Sequence, residues 1–360
     1  MNILIRCDGS PEIGLGHVVR CLALTDELHE VHNCHITFAM VTGPLGIQTV
    51  KNKGYPVITY QNSSKIFDYE GWLNECVSKS EAEAIIFDVR DGLTRTVMDN
   101  LRKKGILTVT IDDPEDKRLS ADLAFYPPIP QIKLIDWTGF TGELHIGWKW
   151  VIIRKEFSTT PCSTPNASCS KIPKILVTMG GSDPEGLTIK AVKALEMIQF
   201  EGSFEVIIVL GSGFQYKEEL EKLISGCKQH FELRKNVHNM AELMAQSDLA
   251  VASFGMTAYE LAAIGVPAIY LCLTEDHAES ASAFVKEGMA ISLGIFTQVS
   301  EEMIAKEINA LLNNKSLLSK LTGNAKKHID GKGTIRISRM VANSQNIFGE
   351  VTNEYFMGTH

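Results

Sequence analysis

The feature that most constrains the fold is a regular alternation of short apolar runs with segments of helical periodicity. Before residue 153 the apolar runs are NILIR, HITFAM, YPVITY, AIIFDV and LTVTID. After residue 173 they are KILVTM, FEVIIVL, FELRK, DLAVAS and PAIYLC. Strands that alternate with helices in this way form parallel sheets joined by crossover helices. The sequence therefore predicts an α/β protein with two parallel sheets.

The chain is long enough for two domains, because 360 residues with 44% hydrophobic content can fill two cores. A Ser-, Thr- and Pro-rich stretch at 157–173 has no periodicity, which indicates an exposed linker. We predict a first domain over 1–155, a linker over 156–172, a second domain over 173–335, and a C-terminal helix and tail over 336–360. The tail after about residue 300, with the helical segments EEMIAKEINALLNN and TIRISRMVANSQNIF, is expected to close the second domain.

Charge and hydropathy exclude several classes of partner. The 35 basic and 43 acidic side chains give a net charge of −8, and no basic stripe is present, so nucleic acid is not expected. The longest apolar run, residues 261–273, contains Gly265 and Pro267 and is too short to span a bilayer. The N-terminus has no export signal, so we expect a cytoplasmic protein without stable membrane insertion. The sequence does not indicate an oligomeric state.

No metal or cofactor is expected. The eight cysteines form no C-x-x-C pair and are predicted to be free and mostly buried thiols, although Cys162 and Cys169 in the linker could pair if oxidised. The acidic segment IDDPED, residues 111–116, could be a metal site, but paired aspartates before proline more often form a turn. We therefore predict a turn there.

The first candidate loop is IGLGHVVRC, residues 13–21, which lies between a strand and a helix. It is not a dinucleotide fingerprint, because Val19 occupies the third glycine position. Gly14 and Gly16 would let the backbone approach a ligand. His17 then lies at the helix N-terminus, where the helix dipole favours a neutral imidazole that can accept a proton. The alternative is that His17 merely caps the helix.

Two further residues are assigned to this loop. Asp8, at the end of the first strand, is the candidate to orient His17 or a water molecule. Arg20, three residues after the histidine, is assigned to substrate binding together with Gly14 and Gly16.

The second candidate loop is MGGSDPEG, residues 179–186, between a strand and a helix. Backbone N–H groups at Gly180 and Gly181, with the hydroxyl of Ser182, suit an anion such as a phosphate. In the alternative interpretation, Asp183 is the helix N-cap and Pro184 the first helical residue. That alternative leaves the two glycines unexplained.

Two more loops follow later strands. The segment ASFGMTAYE, residues 252–260, combines a small-residue loop with Glu260 on a helix, which suits a diphosphate and ribose hydroxyls. The alternative for Glu260 is an ordinary solvated helix residue. The segment beginning LTEDHAES places Glu275, Asp276 and His277 after the next strand, where they could recognise a sugar, although a solvated helix start is the commoner case for such a run.

Taken together, these loops resemble a known family. The matching segments are RCDGSPEIGLGHVVRCLAL, TIDD, GWKWVIIRKEF, LVTMGGSDP, NMAELMAQSDLAVASFGMTAYELAAIGVPAI and DGKGTIRI. Over nearly its whole length the chain resembles the UDP-sugar hydrolases of pseudaminic acid biosynthesis and the spore-coat polysaccharide proteins, relatives of the glycosyltransferase that completes lipid II. The resemblance implies a GT-B architecture, with two Rossmann-like domains facing each other across a cleft.

The resemblance also implies roles for individual residues. It implies that His17 activates water for attack on the anomeric carbon and that UDP leaves. The nucleotide would be held by the C-terminal domain, through backbone groups from Val237 to Met240 at the uracil and Glu260 at the ribose. The diphosphate would lie against Gly180, Gly181, Ser182, Ser253, Gly255, Met256 and Thr257.

The sequence departs from the hydrolases on the side of the sugar. Glu275, Asp276 and His277 stand where those enzymes carry an acid-Asn-Gln segment, and PPIPQ, residues 127–131, replaces an Asn-containing turn. Three hypotheses follow: a hydrolase of a UDP-linked deoxy acetamido sugar, an inverting glycosyltransferase, and a non-catalytic nucleotide-sugar-binding partner. The segment 44–55 is only a faint version of an apolar, basic-rimmed acceptor patch, which favours water as the acceptor.

Overall fold

A computed structural model describes residues 1–9, 14–41, 43–60, 68–160, 172–235, 237 and 239–356, with side chains as far as residue 344. The chain forms two compact units. The first comprises residues 1–128, 132–154 and 332–360, and the second comprises residues 129–131 and 155–331.

The first unit is built on a parallel sheet of seven strands. They are β1 (Asn2–Cys7), β2 (His35–Met40), β3 (Val57–Thr59), β4 (Ala84–Asp88), β5 (Leu107–Ile111), β6 (Leu123–Tyr126) and β7 (Glu143–Ile146). Their order across the sheet is β3-β2-β1-β4-β5-β6-β7. The central strands are continuous apolar runs because helices cover both faces of a parallel sheet, and every residue of β4 is buried.

The helices between these strands cover the sheet. They are α1 (Gly16–Glu30), α2 (Pro44–Asn52), α3 (Tyr69–Ser80) and α4 (Arg95–Lys103). Local sequence fixes some of their ends: the carboxylate of Asp68 accepts a hydrogen bond from the N–H of Gly71 and caps α3.

The second unit has a parallel sheet of six strands in the order β10-β9-β8-β11-β12-β13. The strands are β8 (Lys174–Thr178), β9 (Glu205–Leu210), β10 (Phe231–Lys235), β11 (Leu249–Ser253), β12 (Ala268–Cys272) and β13 (Ile291–Ile295). The helices are α5 (Lys155–Thr159), α6 (Leu187–Glu196), α7 (Lys217–Ser225), α8 (Met240–Ala245), α9 (Met256–Ile264), α10 (Glu275–Lys286), α11 (Glu301–Leu312) and α12 (Lys315–His328). The predicted class, an α/β protein with two parallel sheets, is confirmed.

The last helix, α13 (Gly333–Phe356), returns to the first unit. Its side chains Ile337 and Val341 are fully buried in the core formed by β1, β2 and α1. The expectation that the tail after residue 300 closes the second domain is confirmed for α11, whose side chains Ile304, Ile308 and Leu311 are buried in the core of the second unit. It is wrong for α13, whose apolar face packs against α1 instead.

The predicted linker over 156–172 contains part of a helix. The helix α5 covers residues 155–159, and the side chain of Phe157 is buried. Residues 161–171, and with them the possible pair of Cys162 and Cys169, lie outside the described residues. The six described cysteines are free thiols, and all but Cys227 are buried, as predicted for them.

In each sheet the strand order reverses at one pair of neighbouring strands, the topological switch point. Connections run to opposite sides at the β1/β4 pair in the first unit and at the β8/β11 pair in the second. In open parallel sheets, ligands bind beyond the carboxyl ends of the strands at such points. The loops singled out in the sequence follow β1, β8 and β11. In the part of the chain that the structure describes, no helix is both long and apolar enough to cross a bilayer.

Candidate functional site

His17 lies in the first turn of α1, directly after the loop that follows β1. Gly14 has a φ of 75°, a backbone conformation that favours glycine, and α1 begins two residues later at Gly16. The N-cap is Leu15, and no side chain caps the helix there. The alternative in which His17 serves as the cap is therefore wrong, because its imidazole is directed to another partner.

That partner is Asp88, the last residue of β4, whose carboxylate joins three side chains from one face of α1. Nδ1 of His17 lies 2.7 Å from Oδ1 of Asp88. The guanidinium of Arg20 donates to both oxygens of Asp88, at 2.8 Å through Nε and 2.5 Å through Nη2. The thiol of Cys21 lies 3.4 Å from Oδ2. Residues one helical turn apart share a face, so α1 presents all three groups to one carboxylate.

Asp88 remains ionised although its side chain is only 1% exposed. Burial alone would raise its pKa, but Arg20 and His17 together hold the pKa well below its usual range. An ionised carboxylate only accepts hydrogen bonds, so Nδ1 of His17 carries the proton of this bond. In the neutral ring, Nε2 is then the basic nitrogen.

The other ring nitrogen of His17, Nε2, does not take part in the contact with Asp88. The histidine side chain is 32% exposed, and no described residue forms a hydrogen bond with Nε2. A histidine held through one nitrogen by an ionised aspartate, with its other nitrogen unengaged by any described residue, has the arrangement of a general base.

Arg20 is held by a second carboxylate as well. Its Nη1 lies 3.4 Å from Oδ2 of Asp112, which follows β5. Burial raises the pKa of Asp112, while Arg20 opposes that shift. Only 11% of the Arg20 side chain is exposed. Its guanidinium is therefore paired with Asp88 and Asp112. The substrate contact expected for Arg20 stays a prediction.

Asp8 lies at the end of β1, but its described contacts are to other groups than the imidazole. It accepts a hydrogen bond from the N–H of Val41 at 2.8 Å and forms an ion pair with buried Arg6 at 2.7 Å. The orienting contact to His17 that the sequence assigned to Asp8 is made by Asp88. A role of Asp8 toward water stays a prediction.

The acidic segment after β5 surrounds a buried lysine. The ammonium of Lys117, which is 0% exposed, forms ion pairs with Asp91 and Asp113 at 3.0 Å each and with Glu115. Asp113 also accepts a hydrogen bond from the N–H of Glu115 at 2.8 Å, a turn of the kind predicted. The lysine ammonium thus occupies the position where a cation would neutralise these carboxylates. Among the described residues, no group of three or more acidic, histidine or cysteine side chains is arranged to hold a metal ion.

This cluster predicts a pH dependence of stability. Burial raises the pKa of Asp113 to about 6, although Lys117 opposes the shift. The folded chain therefore holds a proton between about pH 4 and 6 that the unfolded chain has released, so stability falls as pH rises through that window. The protonation of Asp113 changes the free energy of unfolding by up to about 3 kcal/mol across this window. Urea unfolding at several pH values should show a flatter dependence for Asp113→Asn; an unchanged slope would contradict this.

In the second unit, the glycine-rich loop follows β8. Gly180 has a φ of 77°, and the carbonyl oxygen of Gly181 accepts a hydrogen bond from the N–H of Gly213 at 2.9 Å. A side chain at Gly211 would meet that carbonyl at 2.2 Å. The glycines at 211 and 213 thus allow the loop after β9 to pack against Gly181 and Ser182, a contact between segments distant in sequence that no local motif indicates.

The helix that follows this loop begins later than the alternative interpretation required. The helix α6 starts at Leu187, with Gly186 as N-cap, so Pro184 is not its first residue. The carboxylate of Asp183 nevertheless accepts hydrogen bonds from the N–H groups of Leu187 and Thr188, at 2.7 and 2.9 Å. Asp183 therefore caps the helix from outside it, and the preceding glycines are not part of that cap.

The loop after β11 lies beside the glycine-rich loop. A Cβ atom on Gly180 would lie 3.7 Å from the hydroxyl oxygen of Ser253. Gly255 is the N-cap of α9, which has neither a side-chain cap nor an acidic residue in its first turn. Met256 and Thr257 form that first turn and are partly exposed. The structure thus brings two predicted nucleotide loops together, with the positive end of a helix dipole at one of them.

Glu260 and Met240 lie close to the core of the second unit. Glu260 is only 4% exposed, so the interpretation as a solvated helix residue is wrong. Met240 begins α8 and is 9% exposed, and Asn239 caps that helix. Val237 is partly buried, and both of its neighbours lie outside the described residues.

The three residues assigned to the sugar form the first turn of α10 and do not lie in a loop. Thr274 caps this helix by accepting a hydrogen bond from the N–H of His277 at 3.1 Å. Burial lowers the pKa of His277, which favours its neutral form. Glu275 and Asp276 are exposed. The alternative interpretation, a solvated helix start, therefore holds for Glu275 and Asp276 but not for partly buried His277.

Gln131 connects the two segments that depart from the hydrolases. It belongs to the PPIPQ loop, and its amide nitrogen donates to the backbone and side-chain oxygens of Asp276 at 3.0 and 3.1 Å. It also lies 2.9 Å from the hydroxyl of Ser280. Gln131 therefore holds the first turn of α10, a contact that no local sequence pattern indicates.

These features define a two-unit α/β protein with a histidine–aspartate pair in one unit and two adjacent loops, one of them glycine-rich, in the other. Residues 175–333 match the glycosyltransferase family 28 C-terminal domain. In fold, the chain is similar to MurG of Acinetobacter baumannii, with a TM-score of 0.70 and 15% identity over 94% of this chain and 99% of that one. It is also similar to MnaA of S. aureus, solved with UDP, with a TM-score of 0.65 and 13% identity over 96% and 97%. The chain has the GT-B fold.

Similar sequences extend over most of the chain. The spore coat polysaccharide biosynthesis protein SpsG of Bacillus subtilis is 25% identical over 95% of this chain and 98% of its own. UDP-2,4-diacetamido-2,4,6-trideoxy-beta-L-altropyranose hydrolase of Campylobacter jejuni is 24% identical over 81% and 98%. An uncharacterized protein of Methanocaldococcus jannaschii is 29% identical over 80% of this chain, and the match spans 59% of that longer protein.

Proposed function

We propose that this chain hydrolyses a UDP-linked deoxy acetamido sugar, with His17 as the general base that activates water. The main support for the proposal is the hydrogen bond between Nδ1 of His17 and Asp88, beside the switch point between β1 and β4. This bond leaves Nε2 without a partner among the described residues. The similarity to a UDP-sugar hydrolase supports water as the acceptor.

In this reaction Nε2 of His17 takes a proton from water as the water oxygen attacks the anomeric carbon. The bond from that carbon to the diphosphate oxygen breaks, and UDP leaves. The ring is then an imidazolium whose Nδ1–H remains bonded to the carboxylate of Asp88. Asp88 stabilises the charged ring without itself taking the proton, because its pKa is far below neutral.

The second unit would stabilise the leaving group. Backbone N–H groups of the loop at Gly180, Gly181 and Ser182, together with the uncapped start of α9, suit the negative charge that develops on a departing diphosphate. With this stabilisation, neither an acid catalyst nor a metal ion is obligatory. We assign Ser253, Gly255, Met256 and Thr257 to the same role.

Glu260 is assigned to the ribose hydroxyls and Val237 to Met240 to the base of the nucleotide. Because a hydrogen bond to a charged group contributes about 1 to 3 kcal/mol, Glu260→Ala should weaken UDP binding by roughly 5- to 150-fold. Glu260→Gln, which keeps the shape of this buried side chain, should weaken it less. Isothermal titration with UDP measures both, and an unaltered Kd in the alanine variant would contradict the assignment.

On the sugar side we assign the loop at Gly14 and Gly16 and the first turn of α10, with Glu275, Asp276 and His277. Gln131 fixes that turn. These side chains offer hydrogen-bond acceptors and one neutral imidazole, which suit the hydroxyl and amide groups of an acetamido sugar.

The direct test is incubation with a panel of UDP-acetamido sugars in ¹⁸O-labelled water without any other acceptor. Free UDP together with label at the anomeric hydroxyl of the released sugar is the expected result. Release of UDP only after addition of an alcohol would support an inverting glycosyltransferase instead, in which His17 deprotonates the acceptor hydroxyl. The match of residues 175–333 to a glycosyltransferase domain makes that the second candidate.

A third hypothesis is a nucleotide-sugar-binding partner without catalysis. Binding of UDP-sugars without release of UDP under any condition would support it. A buried carboxylate that holds one nitrogen of a partly exposed histidine is an arrangement that binding alone does not need.

A further inference from the structure

Arg20 makes a contact with His17 that is not a favourable hydrogen bond. Its Nη2 lies 3.2 Å from Nδ1 of His17, while both atoms approach the same oxygen of Asp88, at 2.5 and 2.7 Å. A guanidinium nitrogen only donates, and Nδ1 also donates when it is bonded to an ionised carboxylate. The contact therefore places a permanent positive charge beside a donor nitrogen of the imidazole.

We propose that Arg20 is a positioning residue that lowers the proton affinity of His17, and that Asp112 limits this effect by partly neutralising the guanidinium. Without Arg20, an imidazole paired with a buried aspartate would hold its proton more tightly and would be protonated over more of the neutral range. With Arg20, Asp88 still orients the ring, but the charged ring is less favoured. The consequence for catalysis rests on the proposed function. The effect of Arg20 on the imidazole does not depend on that function.

The size of the effect follows from distance and burial. A charge within about 4 to 6 Å shifts a titration by about 1 to 3 pH units, and Arg20 is both nearer than this and largely shielded from water. Because its charge is shared between Asp88 and Asp112, we expect the lower end of this range, about one pH unit or tenfold in proton affinity.

Asp112 is held where it can act on Arg20. Its backbone has a φ of 53°, and its N–H donates to the carbonyl of Phe125 at 2.9 Å. The next residue, Asp113, is fixed by Lys117. The carboxylate of Asp112, which is 21% exposed, reaches Nη1 of Arg20, the nitrogen that does not bond to Asp88.

The other charged and titratable groups at this end of the sheet do not change the sign of the effect. Exposed Arg90, after β4, acts electrostatically on Asp112. Cys21 on α1 is a neutral thiol because burial raises its pKa, and it interacts with Cys7 of β1. Asp8 is paired with Arg6.

The test is an NMR titration of the His17 ring in the full chain without substrate, with the resonance assigned by its loss in His17→Asn. The ¹⁵N shifts should report a proton on Nδ1 of the neutral ring. In Arg20→Gln the midpoint of the titration should move up by about one pH unit. In Asp112→Asn it should move down, by a smaller amount, because the guanidinium then acts unopposed.

Two controls separate this effect from a general disturbance. Cys21→Ala removes a neutral donor from the same carboxylate, so it should move the midpoint by less than either charge variant does. Asp112→Asn alters a partly exposed side chain, so it tests the inference even if Arg20→Gln does not fold. Midpoints that stay fixed, or that move in the same direction in the two charge variants, would overturn the inference.

The outcome is independent of the proposed function. If the His17 midpoint shifts in opposite directions in the two charge variants but the chain releases no UDP, the role of Arg20 stands and the proposed hydrolysis is wrong. If turnover depends on His17 but its titration midpoint is the same in both charge variants, only the role proposed for Arg20 is wrong. If the chain turns over, the acid limb of kcat/KM should move with the midpoint in both charge variants.

Discussion

Release of UDP is expected to slow by about 100-fold or more when His17 is replaced by asparagine, the usual scale for the loss of a general base. Asparagine has no basic nitrogen, so nothing in its place would take the proton from water. The Kd for UDP should remain nearly unchanged, since the loops to which we assign the nucleotide belong to the second unit. Steady-state kinetics with titration of UDP binding measure both quantities.

The matched control is His35→Asn. His35 is exposed at the first residue of β2, at the opposite end of the sheet from the loops that follow the strands. This variant should keep its turnover. If His17→Asn is as active as the unaltered chain, the assignment of the base is wrong.

A second large effect is expected at Asp88, whose replacement by asparagine should lower kcat by about 10³- to 10⁴-fold. The amide can donate to Nδ1, which would place the ring proton on Nε2 and remove its basicity. The double variant with His17→Asn should be little slower than the slower of the two single variants, because the two residues act as one unit.

Asp88→Asn should also destabilise the fold, because it leaves the charge of Arg20 buried without its main partner. Loss of one partner of a buried ion pair costs about 3 to 5 kcal/mol. Urea unfolding gives the stability, and kcat per folded molecule separates the two effects. Asp122→Asn is the control: Asp122 also pairs with an arginine, Arg102 at 2.8 Å, but lies at the amino end of β6. Equal losses of kcat in both variants would argue against a specific role for Asp88.

Much of the architecture could be predicted from periodicity. The ten predicted strands all exist. Most of them are runs of apolar residues that stand out against their flanks, whereas β10 has only Phe231 and Leu233 among charged residues. The missed strands β6, β7 and β13 have weaker patterns: β6 and β7 are four residues long, and β13 contains Gly294 and is only partly buried. The position of α13 was missed because an apolar helical stripe does not specify which core it covers.

The candidate site was predicted in part, and the missed residues have a common cause. His17 and the glycine-rich loops stand out because glycines and a histidine follow directly after strands. Asp88 also ends a strand, but it pairs with His17 only because β4 lies beside β1, a neighbour that is distant in sequence. The roles of Asp112 and Gln131 likewise depend on contacts between distant segments. The sequence indicated which strand ends carry polar groups, and the order of the strands decides which of these groups meet.

The return of α13 has a consequence for how the first unit can be exchanged or isolated. A fragment that stops near residue 155 would lack Ile337 and Val341, so the apolar side of α1 would be open to water. The helix α1, which carries His17, thus packs against residues that lie about three hundred positions later in the sequence. A chimera that transplants the first unit from one relative to another should therefore carry the last helix along with the first 154 residues.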